Sequence, residues 1–399
     1  MASSKITFTE DVQLPRGFKA AGSAVGLKKS GHRDMAMIAC EPAAVMAGTF
    51  TTNQVKAATV RLCMKRLARN GRAIVINSGN ANACNGPQGL IDAERMAAAT
   101  AELIGADERD VFVCSTGRIG VRLPMDIIEP GIRKTAADLS REGGKNASEA
   151  IMTTDTKPKR CTARFTIDRK PVTLTAMAKG AGMIEPNMAT MLAFFLTDAA
   201  VDRSALQDAL SAAVNKSFNR ITVDGDRSTN DTVLFMANGA AENKTLKPTH
   251  PDWAVFVEAI NMVAMHLALL MVQDGEGASR VVTVRVKGAR SEKDADIAAR
   301  SVANSLLVKT SWAGDYPNWG RIMDALGYSD AKIAEDRVEI RYDDLVACRD
   351  GVYAGTPIEK LKRVVLQRAF TIEINLNLGS GEAVIYTCNC TEEYVRINM

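Results

Sequence analysis

Lys179-Gly-Ala-Gly-Met-Ile-Glu-Pro-Asn-Met-Ala-Thr190, running into the apolar stretch Met191-Leu-Ala-Phe-Phe-Leu196, is the least ordinary junction in this chain. Its glycines and its proline give a permissive loop, and the apolar run after it reads as a buried strand with Thr190 at its start. Before the junction, residues 162–177 alternate polar and apolar side chains as paired strands do. The run Gly180-Ala-Gly182-Met-Ile-Glu185 is not a dinucleotide fingerprint, because glutamate stands where the third glycine should be.

Outward from the junction, helices and strands mix in both halves. Residues 72–76 read as a buried strand ending in Asn77-Ser-Gly-Asn-Ala-Asn-Ala, a turn rich in residues that tolerate positive φ. Residues 90–103, dense in Ala, Glu and Met, predict a helix that stops near Gly105. Residues 111–114 predict a short strand running into a turn at Ser115-Thr116-Gly117, and 127–139 predict another helix. Residues 204–218 and 253–272 predict amphipathic to buried helices, while 280–286 and 371–378 show the period of two expected of strands. Gly379-Ser-Gly381 predicts a hairpin turn into a strand over 383–387. With no internal repeat and no Pro-rich or Gly/Ser-rich linker, the pattern predicts an α/β fold of stacked layers without a visible domain boundary.

The chain has 399 residues, 46% hydrophobic and 24% charged, which excludes a small disulfide scaffold, a disordered chain and a membrane bundle. The net charge of +4 is dispersed, so no nucleic-acid partner is expected, whereas small anionic substrates are compatible with it. The longest apolar stretch, ten residues over 263–272, is interrupted by His266. It is half of the roughly 20 residues that span a bilayer, and no membrane partner is expected. Met1-Ala-Ser-Ser-Lys-Ile carries no apolar signal core, and the eight cysteines are scattered, with Cys388-Asn389-Cys390 the one close pair. The expectation is a cytoplasmic protein with reduced thiols.

Three histidines, His32, His250 and His266, lie apart from ligand-spaced partners, so no metal centre and no Ser-His-Asp triad is expected. There is no Gly-x-Ser-x-Gly elbow and no Walker loop. The acidic run Asp224-Gly-Asp226-Arg-Ser228-Thr-Asn230 lacks the turn glycine of a calcium loop and has Phe235 in place of its bidentate glutamate. A catalyst without histidine, metal or cofactor needs another nucleophile and base. An N-terminal threonine supplies both, because its hydroxyl attacks while its own α-amine, with a pKa of about 7.7 to 8.0, takes the proton. Thr190 is internal, so that role requires cleavage between Ala189 and Thr190. On its own it reads as an ordinary strand-start residue.

The junction sequence resembles the self-cleavage segment of the ornithine acetyltransferase family. Asn77-Ser-Gly-Asn-Ala-Asn-Ala-Cys84, Ser115-Thr-Gly117, Ile151-Met-Thr-Thr-Asp-Thr156-Lys-Pro-Lys159 and Ser217-Phe-Asn-Arg-Ile-Thr-Val-Asp-Gly-Asp226 are similar to family blocks in the same order. So are Asp274-Gly-Glu276-Gly-Ala278, Pro317-Asn-Trp-Gly-Arg321 and Tyr394-Val-Arg-Ile-Asn398. Together the blocks cover most of the chain.

The resemblance implies a layered α-β sandwich of the type shared with self-cleaving aminopeptidases, built jointly by an α fragment, residues 1–189, and a β fragment, residues 190–399, paired into a heterotetramer of two of each. It implies that Thr190 cuts on its N-terminal side and then accepts the acetyl group of N2-acetylornithine, passing it to glutamate. Thr116 and Gly117 match the family's oxyanion-hole positions, and Thr156, Lys179, Thr190, Glu276 and Asn398 its substrate-contacting ones. Locally, Ser115-Thr-Gly reads as a strand-end turn, Glu276 as a solvated turn residue and Lys179 as a surface lysine. No cofactor is implied, although some family members also take acetyl-CoA as donor. Family chains usually continue past the final Asn with a further substrate-contacting residue, whereas Asn398-Met399 ends this sequence. Arg118, Val121-Arg122 and Trp312-Ala-Gly-Asp-Tyr316 also differ from common versions. Two other readings stay open: a Thr-nucleophile amidase or aminopeptidase, in which water outcompetes glutamate, and a binding protein that never cleaves.

Overall fold

The computed structural model describes residues 6–185 and 191–399. They form two compact units, one drawn from Met1–Gly180, Asn187–Asn219 and Arg227–Ala268, the other from Ala181–Pro186, Arg220–Asp226 and Leu269–Met399. No boundary between them is visible in the sequence. The units exchange chain through short segments of ordinary composition, which leave no linker signature.

Among the described residues, the first unit holds a nine-stranded mixed sheet. Its order is Thr7–Thr9, Lys159–Ile167, Lys170–Lys179, Leu192–Thr197, Thr232–Ala237, Met35–Phe50, Asn70–Asn80 and Val111–Arg118, with Phe18–Ser23 also paired to Met35–Phe50. Side chains alternate between faces, as the strand period requires. Ile74, Ile76, Phe112 and Cys114 share one core with Phe194, Leu196, Leu234 and Met236. Ala73, Val75, Val111 and Val113 share another with Ala93, Met96, Ala97, Ile128 and Ile132. The last five lie on helices Gly86–Ile104 and Met125–Ala137. The first of these helices starts with a proline in its opening turn and stops where Gly105 turns left-handed at φ 64°. Each is a few residues displaced from its predicted bounds.

One further expectation changes and another holds. Ser115-Thr116-Gly117 is not a turn after the strand but its continuation, because the parallel partner Asn70–Asn80 extends alongside and pairs Ser78 with Thr116. The apolar stretch 263–272 is the C-terminal part of a 21-residue helix, Trp253–Gln273. That helix is long and apolar enough to cross a membrane, but half of its apolar window is buried within the protein. Phe256, Ile260, Val263 and Leu267 are fully buried, with Phe256 stacked on Phe235. His266 is accommodated by an edge contact with Phe8, ring centroids 4.9 Å apart.

The second unit holds a six-stranded sheet in the order Val352–Tyr353, Leu345–Arg349, Glu339–Tyr342, Ala369–Asn375, Val281–Ala289, Gly381–Cys388. The predicted hairpin at 379–381 is overturned: Val281–Ala289 lies between the two strands, parallel to Ala369–Asn375 and antiparallel to Gly381–Cys388. Leu376, Leu378 and Gly379 donate backbone N–H bonds to Lys287 and Gly288, so the connection crosses the end of the central strand instead of turning back beside its own. Helix Glu292–Asn304, capped by Ser291, lays Ala295, Ala298, Ala299 and Val302 on Val282, Val284 and Val286. Both units are therefore mixed α/β, the class expected from the sequence.

Trp312 is the largest fully buried side chain of the second core and meets Phe370 edge-on at 6.0 Å. Trp312→Ala is expected to cost about 3–5 kcal/mol of unfolding free energy in a urea titration. A loss below about 1 kcal/mol would mean that this core is not organised around it.

Candidate active site

In the first unit, parallel pairing of Asn70–Asn80 with Val111–Arg118 sets Gly79 opposite Gly117. Gly117 has φ 132°, and a Cβ there would stand 2.3 Å from the carbonyl carbon of Gly79. Only glycine lets the two strand ends close. Ser115 Oγ donates to Asn77 Oδ1 (2.5 Å), and Asn77 Nδ2 donates to the carbonyl of Asn80 (2.9 Å). The Thr116 side chain between them is buried, while Gly117 is exposed.

Beside Thr116 lies a buried charge cluster. Lys179, the last residue of Lys170–Lys179, is 2% exposed and donates from Nζ to Thr116 Oγ1 at 3.4 Å. The same ammonium is 4.0 Å from Asp155 Oδ2, and Lys159 Nζ is 2.7 Å from Asp155 Oδ1. Backbone N–H groups of Gly180 and Thr153 also donate to Asp155, at 2.7 and 3.0 Å. Burial pushes the Asp155 carboxyl up, but Lys159 and Lys179 together outweigh it and hold it below the usual carboxylate range. The neighbouring Thr156 is exposed and lines a cavity of about 980 Å³ with Lys28, His32, Arg33 and Glu149. Thr116, Gly117, Thr156 and Lys179 thus all belong to this unit, and Lys179 is a buried residue, not the surface lysine of the local reading.

In the second unit, Glu276 and Asn398 come together. Asn398 Nδ2 donates to Glu276 Oε2 at 2.7 Å, and the Glu276 backbone N–H donates to the carbonyl of Ala181 at 2.9 Å. A Cβ on Gly182 would fall 2.3 Å from the Glu276 carboxyl carbon, so the chain at 182 is pressed against that group. Glu276 is 8% exposed, which corrects its local reading as a solvated turn residue. Nearby, Asp224 accepts N–H bonds from Met183 (2.6 Å) and Ile184 (2.9 Å) and the Tyr394 hydroxyl bond (3.2 Å). Burial raises the Asp224 carboxyl above its ordinary value against the pull of those amides. Ala189 and Thr190 lie outside the described residues.

Sequence reasoning missed the roles of Asp155 and Asp231, both buried, and of the half-buried Asp224, each a carboxylate that accepts backbone N–H from the residues around the junction. The available signal was the Asp/Asn/Ser/Thr run over 224–231, in which the carboxylates of Asp224 and Asp231 receive backbone amides. Among the described residues one group carries metal-ligating types, Asp168, His250 and Asp252. Asp168 accepts from Lys244 N (2.8 Å), Asp252 from Asp168 N (2.9 Å) and His250 Nδ1 from Asp252 N (3.1 Å), the bonds of a locked turn.

The ArgJ family profile matches residues 19–399. The chain belongs to the ArgJ family. The arginine biosynthesis bifunctional protein ArgJ of Caldanaerobacter subterraneus is 45% identical to it over 97% of each chain. That of Geobacter sulfurreducens is 48% identical over 96% of this chain and 98% of its own. The ornithine acetyltransferase of Mycobacterium tuberculosis, solved in complex with ornithine, is 37% identical, covers 46% of this chain and 98% of that one, and has a TM-score of 0.42. Membership of the ArgJ family makes the chain an acyltransferase of arginine biosynthesis, the function the sequence resemblance implied.

Lys28 offers a pH test of the charge cluster in this ArgJ chain. Its ammonium donates to the carbonyls of Arg33 (2.8 Å) and Met152 (2.6 Å). Burial first, and Lys179 with it, lower its pKa from the ordinary 10.5 to about 8, against the opposing pull of Asp34 and Asp155. Between these two values the unfolded chain binds more protons than the folded one, so the Lys28 contribution to stability rises with pH across that window. The stability of the wild type relative to Lys28→Met is expected to increase as pH is raised from 7.5 through 10 in urea titrations. A flat difference would contradict the half-buried, cation-facing placement of Lys28.

Proposed function

We propose that the chain moves an acetyl group from N2-acetylornithine to glutamate through an acetyl-threonine intermediate on Thr190. The observation that carries the reading is the buried Lys179 ammonium held against the Thr116 hydroxyl, at the positions the family uses, in a chain whose match to that family runs over residues 19–399.

In maturation, Thr190 Oγ attacks the Ala189 carbonyl carbon, the C–N bond breaks, and an ester links Ala189 to the Thr190 side chain. Water cleaves that ester, leaving Ala189 as a carboxylate and Thr190 with a free α-amine. The fragments, residues 1–189 and 190–399, remain associated and pair into a cytoplasmic heterotetramer.

In turnover, the α-amine takes the Thr190 hydroxyl proton as the oxygen attacks the acetyl carbonyl of the donor. Negative charge then develops on the carbonyl oxygen and is met by the Thr116 hydroxyl and the Gly117 N–H. Because Thr116 Oγ1 accepts from Lys179, its own hydrogen is available for that oxyanion, and the adjacent ammonium strengthens the donor. The tetrahedral intermediate collapses, the amine of ornithine leaves with the proton, and the acetyl group stays on Thr190. The α-amine of glutamate repeats the sequence in reverse, giving N-acetylglutamate and free Thr190. By the family's pattern, a hydroxyl such as that of Thr156 and the Lys179 ammonium suit an α-carboxylate, and a carboxylate such as Glu276, to which Asn398 donates, suits the side-chain ammonium of ornithine.

Initial rates measured against N2-acetylornithine at several fixed glutamate concentrations are expected to give parallel double-reciprocal lines, with ornithine release dependent on glutamate. Thr116→Ala is expected to lower kcat by about 10²- to 10³-fold. Ornithine release at an undiminished rate without glutamate would replace this reading with the amidase one.

A further inference from the structure

Two consecutive residues, Asn230 and Asp231, are not used in the mechanism above, yet they join its parts. Both lie in the first unit and both are buried. Asn230 Nδ2 donates to the carbonyl of Ser115 at 2.8 Å and to that of Ala81 at 2.6 Å, gripping the strand immediately before Thr116. Its own Oδ1 accepts the Thr229 hydroxyl at 2.5 Å, which fixes the amide so that its donor end faces those carbonyls. Asp231 Oδ1 accepts the backbone N–H of Met191 at 3.0 Å, and the Met191 carbonyl accepts from Thr232 N at 3.1 Å. Met191 is the residue bonded to Thr190.

We infer that Asn230 and Asp231 are a positioning pair that sets the Thr190 end of the strand Leu192–Thr197 in register with the oxyanion donors at Thr116 and Gly117. The inference rests on the reading of Thr190 as nucleophile. One dipeptide holds the carbonyl before Thr116 with its first side chain and the Met191 amide with its second, so the start of the strand Leu192–Thr197 is tied to the strand that carries Thr116 through a single peptide bond. The pair is itself held: Thr51 N donates to the Asp231 carbonyl at 3.0 Å, and Asn230 N donates to Ser228 Oγ at 3.0 Å. Asp231 is fully buried, and its Oδ2 has no hydrogen-bond partner among the described residues. Burial raises its pKa well above the carboxylate range, against the Met191 bond, Thr51 and Lys179. The Met191 amide is received by Oδ1 alone, and an acceptor oxygen in that place needs no charge to take it. An asparagine can make it as well.

The test uses the full chain and reads three quantities: the extent of chain cleavage by denatured mass, kcat, and KM for N2-acetylornithine. Displacement of a reacting atom by about 1 Å costs about 10²-fold in rate, so folded Asp231→Ala and Asn230→Ala are each expected to slow cleavage and kcat by about that factor, with KM within about twofold of wild type. Asp231→Asn is expected to recover most of that loss, to within about tenfold of wild type. Because both residues act through the same geometry as the oxyanion donors, the double variant Thr116→Ala/Asp231→Ala is expected to lose less than the product of the single losses. If Asp231→Ala does not fold, Asp231→Asn decides: a folded, 10²-fold impaired Asp231→Asn would overturn the positioning role. So would a folded Asp231→Ala that cleaves and turns over at the wild-type rate, or one whose loss is entirely in KM. An uncut, inactive wild type would instead remove the Thr190 reading on which the inference stands.

Discussion

Asp155 is a carboxylate removed from solvent, and the arrangement around Thr116 depends on how its charge is answered. Two ammonium groups, Lys159 and Lys179, and two backbone amides converge on it. A lone charge at this depth is prohibitively costly, and removing one partner of a buried pair typically costs about 3–5 kcal/mol. The cluster therefore does not tolerate rearrangement: Lys179 must stay where Asp155 holds it. Because Lys179 is the last residue of its strand and pairs with Leu192 across the sheet, the same constraint fixes where the junction leaves one strand and enters the next.

That constraint explains why several groups with no charge of their own occur here. Thr116 can present a hydroxyl hydrogen because Lys179 occupies its oxygen. Gly117 lets two strand ends approach closer than any side chain at that position permits. In the second unit, Glu276 and Asn398 form a smaller pair of the same kind, with Gly182 pressed against the carboxyl. Burial of these polar groups costs stability that the surrounding apolar cores must offset. The outlay is sensible only where a preorganised electrostatic environment has a use, as in the stabilisation of a developing oxyanion.

Much of this was legible in the sequence, for reasons that differ from residue to residue. The strands around Ile74 and Val113 follow from alternation, and the end of helix Gly86–Ile104 from Gly105, because these are local effects of side-chain direction and left-handed backbone. Thr116, Gly117, Lys179, Glu276 and Asn398 enter as candidates only through block resemblance, since nothing in their local context separates them from ordinary turns or surface lysines. The strand order that breaks the expected hairpin at 379–381 was hidden, because the partner of Gly381–Cys388 lies about a hundred residues earlier in the chain. The extension of the strand through Ser115-Thr116-Gly117 was hidden for the same reason, as it depends on Asn70–Asn80. Asp231 was masked by its surroundings: an acid among Ser, Thr and Asn invites comparison with a cation loop, while its actual partner is one backbone amide 40 residues away.

The central claim is that Thr190 becomes a chain terminus whose amine serves as the catalytic base. The mass of the freshly purified protein under denaturing conditions tests it most directly. Two fragments of about 20 and 23 kDa are expected if the Ala189–Thr190 bond is cut and the new threonine amine is the base. A single stable chain of 42.9 kDa would leave Thr190 without that amine and would contradict the account.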